Sequence, residues 1–227
     1  MSQSGSAGAA DVPVIAVDGP GGSGKGTITT RLAKYLGWHF LDSGALYRLT
    51  ALAVMDKHLP LEDETALGEL AANLDIRFET SGTDVISWLD GVDVSDRLRH
   101  EDTGVLASKI AVIPAVRAAL TERQRRFRQP PGLVADGRDM GTVIFPDAKL
   151  KIFLTASAEI RAERRYKQLK EKGESVNLTR LFKEIKARDL RDQSRSIAPL
   201  RPAEDAVIID STELSIDEVF NKIVSLI

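Results

Sequence analysis

The chain has 227 residues, of which 43% are hydrophobic, and its 31 Lys and Arg against 33 Asp and Glu give a net charge of -2. This length suits one large α/β domain with an inserted subdomain, and the charge gives no indication of a nucleic-acid or membrane partner. The absence of cysteine excludes disulfides and Cys-based metal sites, and no apolar run is long enough to span a membrane. Residues 1–12 are predicted to be a disordered tail rather than a signal peptide, so we expect a cytoplasmic protein.

The first predicted strand, Val14–Asp18, is apolar and leads into a glycine-rich loop, and helical spacing follows from Ile28 to Leu36. This order of strand, loop and helix is the context of a phosphate-binding loop. Glycines let backbone N–H groups approach phosphates closely, and Lys25 supplies a mobile charge. The predicted triphosphate-binding residues are Gly19, Pro20, Gly21, Gly22, Ser23, Gly24, Lys25, Gly26 and Thr27. Gly26 stands where the common pattern has a Mg²⁺-binding hydroxyl, so direct magnesium ligation by the loop is in doubt.

The rest of the chain alternates short apolar runs with helical patterns. After the first strand, further core strands are predicted at residues 38–41, 133–135, 149–154 and 206–209, and helices near 45–59, 62–74, 103–112, 115–128, 158–170, 178–193 and 215–226. Residues 75–94 have instead the pattern of a small antiparallel insertion, with a hairpin turn at Ser81-Gly82. A helix break is predicted at Lys172-Gly173-Glu174. The pattern predicts a five-stranded, mostly parallel, doubly wound sheet.

Ligands of such sheets bind beyond the carboxyl ends of the strands. The segments that follow three predicted strands are the phosphate loop, the run LDSGALYR and the run ADGRDMG. Together with RDLRDQSR near the C-terminus, these motifs resemble those of bacterial cytidylate kinases, a family of P-loop nucleoside monophosphate kinases. The resemblance extends from Val14 to the C-terminus. It implies transfer of the ATP γ-phosphate to CMP or dCMP, with Mg²⁺, by a monomer. The charge and composition predict that this protein binds neither nucleic acid nor membrane.

The resemblance also implies a domain organisation. The expected core comprises residues 13–70, 112–155 and 195–227, the nucleotide-binding insertion about 71–111, and a short helical lid about 156–180.

Arg48 and Arg138 are suited to bind the acceptor phosphate, because guanidinium groups match phosphate oxygens bidentately. A surface ion pair is the alternative for either arginine. Ser43 is expected to bind the acceptor ribose, to cap a helix, or both. By resemblance, Asp139 contacts cytosine with Arg117 and Ser108, although Ser108 taken alone suits helix packing.

Three charged residues, Arg188, Asp192 and Arg195, have the spacing of one helical face, and that spacing alone favours a solvated charge stripe. The resemblance instead places Arg188 and Asp192 at the acceptor sugar and Arg195 near the phosphates. Asp136 ends an apolar strand, where an acid can hold magnesium through water, with a helix cap or a salt bridge as the alternative.

The predicted lid carries two arginines one turn apart, Arg161 and Arg165, which we expect to contact ATP when the lid closes. A solvated helix face is the alternative. The residues expected to assist the chemistry are Lys25, Arg138, Arg165 and Arg195.

Two other functions are alternatives for a chain with a phosphate-binding loop. Another small-molecule P-loop kinase, acting on dTMP or shikimate, would not explain the motifs beyond the loop. A GTP-binding switch needs an NKxD motif, and after Asn221-Lys222 the chain has Val224 in place of Asp.

Overall fold

The computed structural model describes residues 12–81, 84–171 and 173–227. Three predictions fall wholly or partly outside them: the N-terminal tail up to residue 11, Gly82 of the hairpin turn, and Lys172 of the helix break. The chain divides into two compact units, one comprising Met1–Leu41 and Phe127–Ile227 and the other Asp42–Arg126. The predicted insertion, 71–111, lies within the second unit, which extends beyond it on both sides.

The first unit is built on a five-stranded sheet of order β2-β6-β1-β7-β8. The strands are β1 (Val14–Asp18), β2 (His39–Asp42), β6 (Leu133–Gly137), β7 (Leu150–Thr155) and β8 (Val207–Asp210). β1 pairs in parallel with both β6 and β7, and β7 with β8, which confirms the predicted sheet. Asp18 is level with Gly137, so the ends of β1 and β6 meet at one edge of the sheet.

Helices cover this sheet. They are α1 (Lys25–Leu36), α7 (Ala158–Glu171), α8 (Leu178–Gln193) and α9 (Ile216–Val224). Ile28 and Leu32 of α1 are fully buried in the core with Val17 and Val134 of the sheet. α1 ends as predicted at Leu36, and Gly37 caps it with a left-handed backbone (φ 66°) that suits glycine.

The second unit contains α2 (Ser43–Asp56), α3 (Glu64–Asn73), α4 (Ser95–Arg99), α5 (Glu101–Ile110), α6 (Pro114–Arg125) and a sheet of β3 (Ile76–Ser81), β4 (Asp84–Leu89) and β5 (Val92–Asp93). Its neighbouring strands are antiparallel, as the hairpin pattern predicts. Two buried apolar clusters form its core, one around Leu67 and Leu120 and the other around Leu49 and Leu89.

Two elements were not predicted. The short helix α4 lies in a stretch to which no element was assigned from the sequence, and a π-helical turn spans Met140–Ile144. The start of α2 was also predicted wrongly. Its first residue is Ser43 rather than one near Ala45, and Asp42 caps it by accepting a hydrogen bond from Ala45 N at 2.9 Å. The expectation that Ser43 caps this helix is therefore incorrect.

Among the described residues, no single helix is long and apolar enough to cross a membrane, and the one pair that passes by length and composition together, α5 with α6, is bent by 101°.

Candidate active site

The glycine-rich loop joins β1 to α1 in the predicted arrangement. Gly24, directly before the helix, has a left-handed backbone (φ 94°), and no side chain caps the N-terminus of α1. The first-turn N–H groups of a helix have no intrahelical partner and attract anions. At Gly19, a Cβ atom would lie 2.0 Å from the carbonyl oxygen of Leu154, so only glycine fits there. The loop therefore has the backbone geometry of a phosphate site.

The Lys25 side chain is held at this loop rather than extended into solvent. Its Nζ donates to the carbonyl of Pro20 at 2.9 Å and lies 3.8 Å from Asp136 Oδ1. Both residues are buried, and a Cβ at Gly26 would lie 3.8 Å from Asp136 Oδ2. The predicted phosphate-binding lysine and the predicted acid thus meet at the start of α1.

A cluster of arginines surrounds one carboxylate. Asp192, only 1% exposed, accepts a hydrogen bond from Arg138 Nε at 3.1 Å. Its other oxygen lies 2.6 Å from Arg195 Nη2, and Arg188 Nε lies 3.9 Å from the carboxylate. Arg195 follows the end of α8 at Gln193, so it is not on the helix as its spacing suggested. The alternative of a solvated charge stripe is wrong for Asp192, since the residue is buried and pairs with three arginines.

Two of these arginines lie against the phosphate loop. A Cβ built on Gly21 would lie 3.5 Å from Arg138 Nη2 and 3.7 Å from Arg188 Nη1. Guanidinium groups at a phosphate loop can bind a second anion beside the first. The structure thus brings together residues that are more than a hundred positions apart in the chain.

Arg161 has a different environment from the one expected of a mobile lid arginine. It is 4% exposed and donates to the carbonyls of Ala156 at 2.9 Å and Gly21 at 3.1 Å. Its two Nη atoms also bind the carboxylate of Asp189 on α8. The solvated alternative is therefore wrong for Arg161, which braces the phosphate loop. Arg165, one turn along α7, is partly exposed.

Asp139 follows Arg138 directly and precedes the π-helical turn. The residue is 5% exposed, and its backbone carbonyl accepts hydrogen bonds from Val143 N and Ile144 N. A second acid, Asp18, lies near it at the end of β1. Burial raises the pKa of Asp18 to about 6, two backbone hydrogen bonds and Lys25 oppose that rise, and Asp139 adds to it.

The remaining predicted residues belong to the second unit. Arg48 donates to the carbonyl of Leu98, and a Cβ at Gly104 would lie 2.7 Å from Arg48 Nη2, so glycine leaves room for that guanidinium. Arg117 is buried and lies within hydrogen-bonding distance of Tyr47 Oη (3.4 Å). Ser43 is buried in the first turn of α2, and Ser108 is partly exposed on α5.

Sequence reasoning missed several residues that shape the site. Arg164 contacts the loop carbonyl of Ser23 and donates to the backbone oxygen of Ser211, and Ser211 Oγ donates to the same Ser23 carbonyl. The position of Asp18 directly before the phosphate loop was the available signal for that residue. Nothing local distinguishes Ser211 or Asp189, because their partners are distant in sequence.

No group of three or more His, Asp or Glu side chains in the described part of the chain could hold a metal ion by itself. Asp136, the acid predicted to hold magnesium through water, borders Lys25 and Gly26.

Comparison with known proteins agrees with this geometry. The model of the cytidylate kinase family matches residues 15–227. The chain is 60% identical to a cytidylate kinase of Pseudomonas fluorescens over 94% of each chain. It is 59% identical to one of Aeromonas hydrophila over 91% of this chain and 90% of the relative, and 57% identical to one of Methylococcus capsulatus over 95% and 97%. A solved shikimate kinase of Acinetobacter baumannii is 16% identical over 95% of this chain and 93% of its own, with a TM-score of 0.43. On its family match and the identity to these relatives, the chain belongs to the cytidylate kinase family.

Proposed function

We propose that this protein transfers the γ-phosphate of ATP to CMP and dCMP, giving CDP and dCDP. Family membership supports the substrate class. The observation that carries the proposal is the approach of Arg138 and Arg188 to Gly21 of the phosphate loop, because a kinase must hold two phosphate groups side by side.

The phosphate loop would bind the donor. Amides at the N-terminus of α1 would face the donor phosphates, and Lys25 would add positive charge at the same place. Arg161 contributes indirectly, since its hydrogen bond to Gly21 and its ion pair with Asp189 fix the loop. Arg165 remains the predicted lid contact to ATP.

The acceptor phosphate would bind to Arg138, with Arg188 and Arg195 beside it, and Arg188 and Asp192 remain the residues predicted at the acceptor sugar. Asp192 orients these guanidinium groups through its buried carboxylate. The acceptor residues predicted in the second unit are Arg48 for the phosphate, Ser43 for the ribose, and Ser108 with Arg117 for cytosine. Asp139 is suited to accept a hydrogen bond from the cytosine amine. In this proposal, that hydrogen bond accounts for the preference for cytosine.

The reaction is an in-line displacement. A CMP phosphate oxygen forms a bond to the γ-phosphorus, and the bond from that phosphorus to the β-bridging oxygen breaks, releasing ADP. The acceptor oxygen is already anionic near neutral pH, so no general base is required. The loose transition state needs charge stabilisation and alignment, which Lys25 and the arginines provide.

Magnesium is part of this proposal. Asp136 is the described residue suited to hold it, through water, together with the phosphates of the nucleotide. When bound, the ion would neutralise charge on the transferring phosphoryl group. A cytoplasmic monomer that binds neither nucleic acid nor membrane also remains a prediction, and light scattering after gel filtration tests the monomer.

The decisive experiment is a coupled ADP-release assay with ATP and each of CMP, dCMP, UMP and AMP. We expect CMP and dCMP to be the best acceptors, and turnover of AMP but not CMP would overturn the proposal. Arg138→Ala should lower kcat/KM for CMP by about 100-fold, as loss of a transition-state donor does. Arg138→Lys, which retains the charge but not the fork, should recover part of it.

The matched control is Arg191→Ala. Arg191 is exposed on α8, next to Asp192, and its side chain makes no hydrogen bond or ion pair with any described residue. We expect it to leave kcat/KM within about twofold of wild type, because surface substitutions of this kind have small effects. An Arg138→Ala variant that matches Arg191→Ala would contradict the assigned role of Arg138.

A further inference from the structure

Asp18 is a buried acid at the end of β1 that the proposed reaction does not use. We propose that it is a positioning residue, which fixes the segment of Arg138 and Asp139 relative to the phosphate loop and thereby sets the affinity for the acceptor nucleotide. This inference rests on the proposed function and adds a residue to it.

Both carboxylate oxygens of Asp18 bind the same backbone segment. Oδ1 accepts a hydrogen bond from Met140 N at 2.8 Å, and Oδ2 accepts one from Gly141 N at 2.8 Å. The residue is 4% exposed, so solvent does not compete effectively for either bond. One carboxylate thus binds two consecutive backbone amides, a geometry that restrains both the position and the orientation of the segment.

The two amides need an external acceptor. Met140 and Gly141 open the π-helical turn, where N–H groups lack a partner within the turn. The turn closes through hydrogen bonds from Val143 N and Ile144 N to the Asp139 carbonyl at 2.9 and 3.1 Å. Asp18 therefore holds the beginning of the element whose preceding residues are Arg138 and Asp139.

Packing leaves this segment little room to move by other routes. A Cβ at Gly137 would lie 2.7 Å from Met140 Cγ, and one at Gly141 would lie 3.1 Å from Lys151 Cδ. Close packing at both ends means that a shift of the turn is transmitted to Arg138 and Asp139 rather than absorbed. Misplacement of binding groups by about 1 Å is enough to lower turnover by roughly 100-fold.

The phosphate loop, by contrast, has supports besides Asp18. Gly19 lies against the Leu154 carbonyl, Arg161 donates to Gly21, and Arg164 contacts Ser23. Loss of the Asp18 carboxylate should therefore affect the acceptor side more than the ATP side. That difference separates a positioning role from a general contribution to stability.

The test is Asp18→Asn. An Asn side chain has one carbonyl acceptor and one NH₂ donor, so either Met140 N or Gly141 N would face another donor. We expect KM for CMP to rise at least about 10-fold while KM for ATP stays within about threefold of wild type. Asp217→Asn is the control, since Asp217 is an exposed acid on α9 paired with Arg31, and it should change neither KM.

A double-mutant cycle adds a second criterion. If Asp18 acts through Asp139, the two substitutions should not have independent effects. The double variant Asp18→Asn with Asp139→Asn should then bind CMP no more than about threefold less tightly than whichever single variant binds CMP less tightly. Fully multiplied effects would overturn the inference. So would a folded Asp18→Asn variant with wild-type KM for CMP, or equal increases in both KM values.

Hydrogen exchange gives a readout that needs no substrate. In Asp18→Asn we expect faster exchange in a peptide covering residues 138–145 and no change in one covering 19–27. Unchanged exchange at 138–145 would overturn this inference, whether or not the wild-type protein phosphorylates CMP. Failure of the wild-type protein to phosphorylate CMP would instead count against the proposed function alone. Asp18→Ser serves in the same measurements if the Asn variant does not fold.

Discussion

Replacing Arg161 by alanine should act mainly on the free energy of unfolding and only weakly on the rate of phosphoryl transfer. The guanidinium is 4% exposed and binds the carbonyls of Ala156 and Gly21 and the carboxylate of Asp189. Arg161→Ala removes all of these contacts together. The Asp189 carboxylate and the two backbone carbonyls then lose the Arg161 donor at a site with little solvent access.

The magnitude follows from the burial of the pair. Removing one partner of a buried ion pair costs about 3–5 kcal/mol. The side chain of Asp189 is 18% exposed, so water partly solvates the remaining carboxylate, and we expect a loss of about 3 kcal/mol. For a chain of 227 residues this lowers the midpoint of thermal unfolding by roughly 6–12 °C.

Arg165→Ala is the matched control, one turn away on the same helix. Arg165 is partly exposed, and its side chain forms no hydrogen bond or ion pair with the described residues. We expect its loss to change stability by less than about 0.5 kcal/mol. If the predicted lid role is correct, Arg165→Ala should instead lower kcat by at least about 10-fold.

Differential scanning calorimetry and the coupled kinase assay, applied to both variants, separate the two roles. An Arg161→Ala protein that unfolds within 2 °C of wild type would refute the assignment of Arg161 to the loop brace. Arg161→Lys should unfold at a temperature between those of Arg161→Ala and wild type, because lysine restores the charge but cannot reach all of these acceptors.

Three further predictions follow from single sites. Asp192→Asn keeps the side-chain shape but removes the charge next to three arginines, so urea titration should show a loss of about 2–4 kcal/mol, and an unchanged value would contradict this ion-pair geometry. Burial raises the pKa of Asp18 from 3.8 to about 6, so between these pH values the folded protein retains a proton that the unfolded chain has lost. From pH 3.8 to pH 6 wild type should therefore lose about 3 kcal/mol of stability relative to Asp18→Asn, and parallel curves would show that Asp18 is not responsible. Gly19→Ala places a Cβ 2.0 Å from the Leu154 carbonyl oxygen and should lower kcat/KM for ATP by about 100-fold. The control for Gly19→Ala is Gly37→Ala, at a positive φ but with open space around it, which should cost about 1 kcal/mol of stability and leave kcat/KM unchanged.

The local features were accessible from sequence because they depend on neighbouring residues. The phosphate loop occurs as predicted. The C-cap at Gly37, the N-cap at Asn177 and the capping box of Ser215 with Glu218 are formed by residue types that favour these positions locally. The start of α2 was the exception. Asp42 and Ser43 are both good capping residues, and local propensity does not distinguish them.

The sequence by itself determined the strand–loop–helix of the phosphate site, the parallel sheet and, through its motifs, the resemblance to cytidylate kinases. Tertiary structure decided how the charged groups pair. Asp192 pairs with Arg138, 54 residues away, and Asp18 holds amides 122 and 123 residues away. Arg161 and Arg165 lie one turn apart on the same helix, yet of these two arginines only Arg161 is buried against the loop. Spacing defines which residues share a face of a helix, but burial and partners depend on long-range packing, which no local pattern encodes.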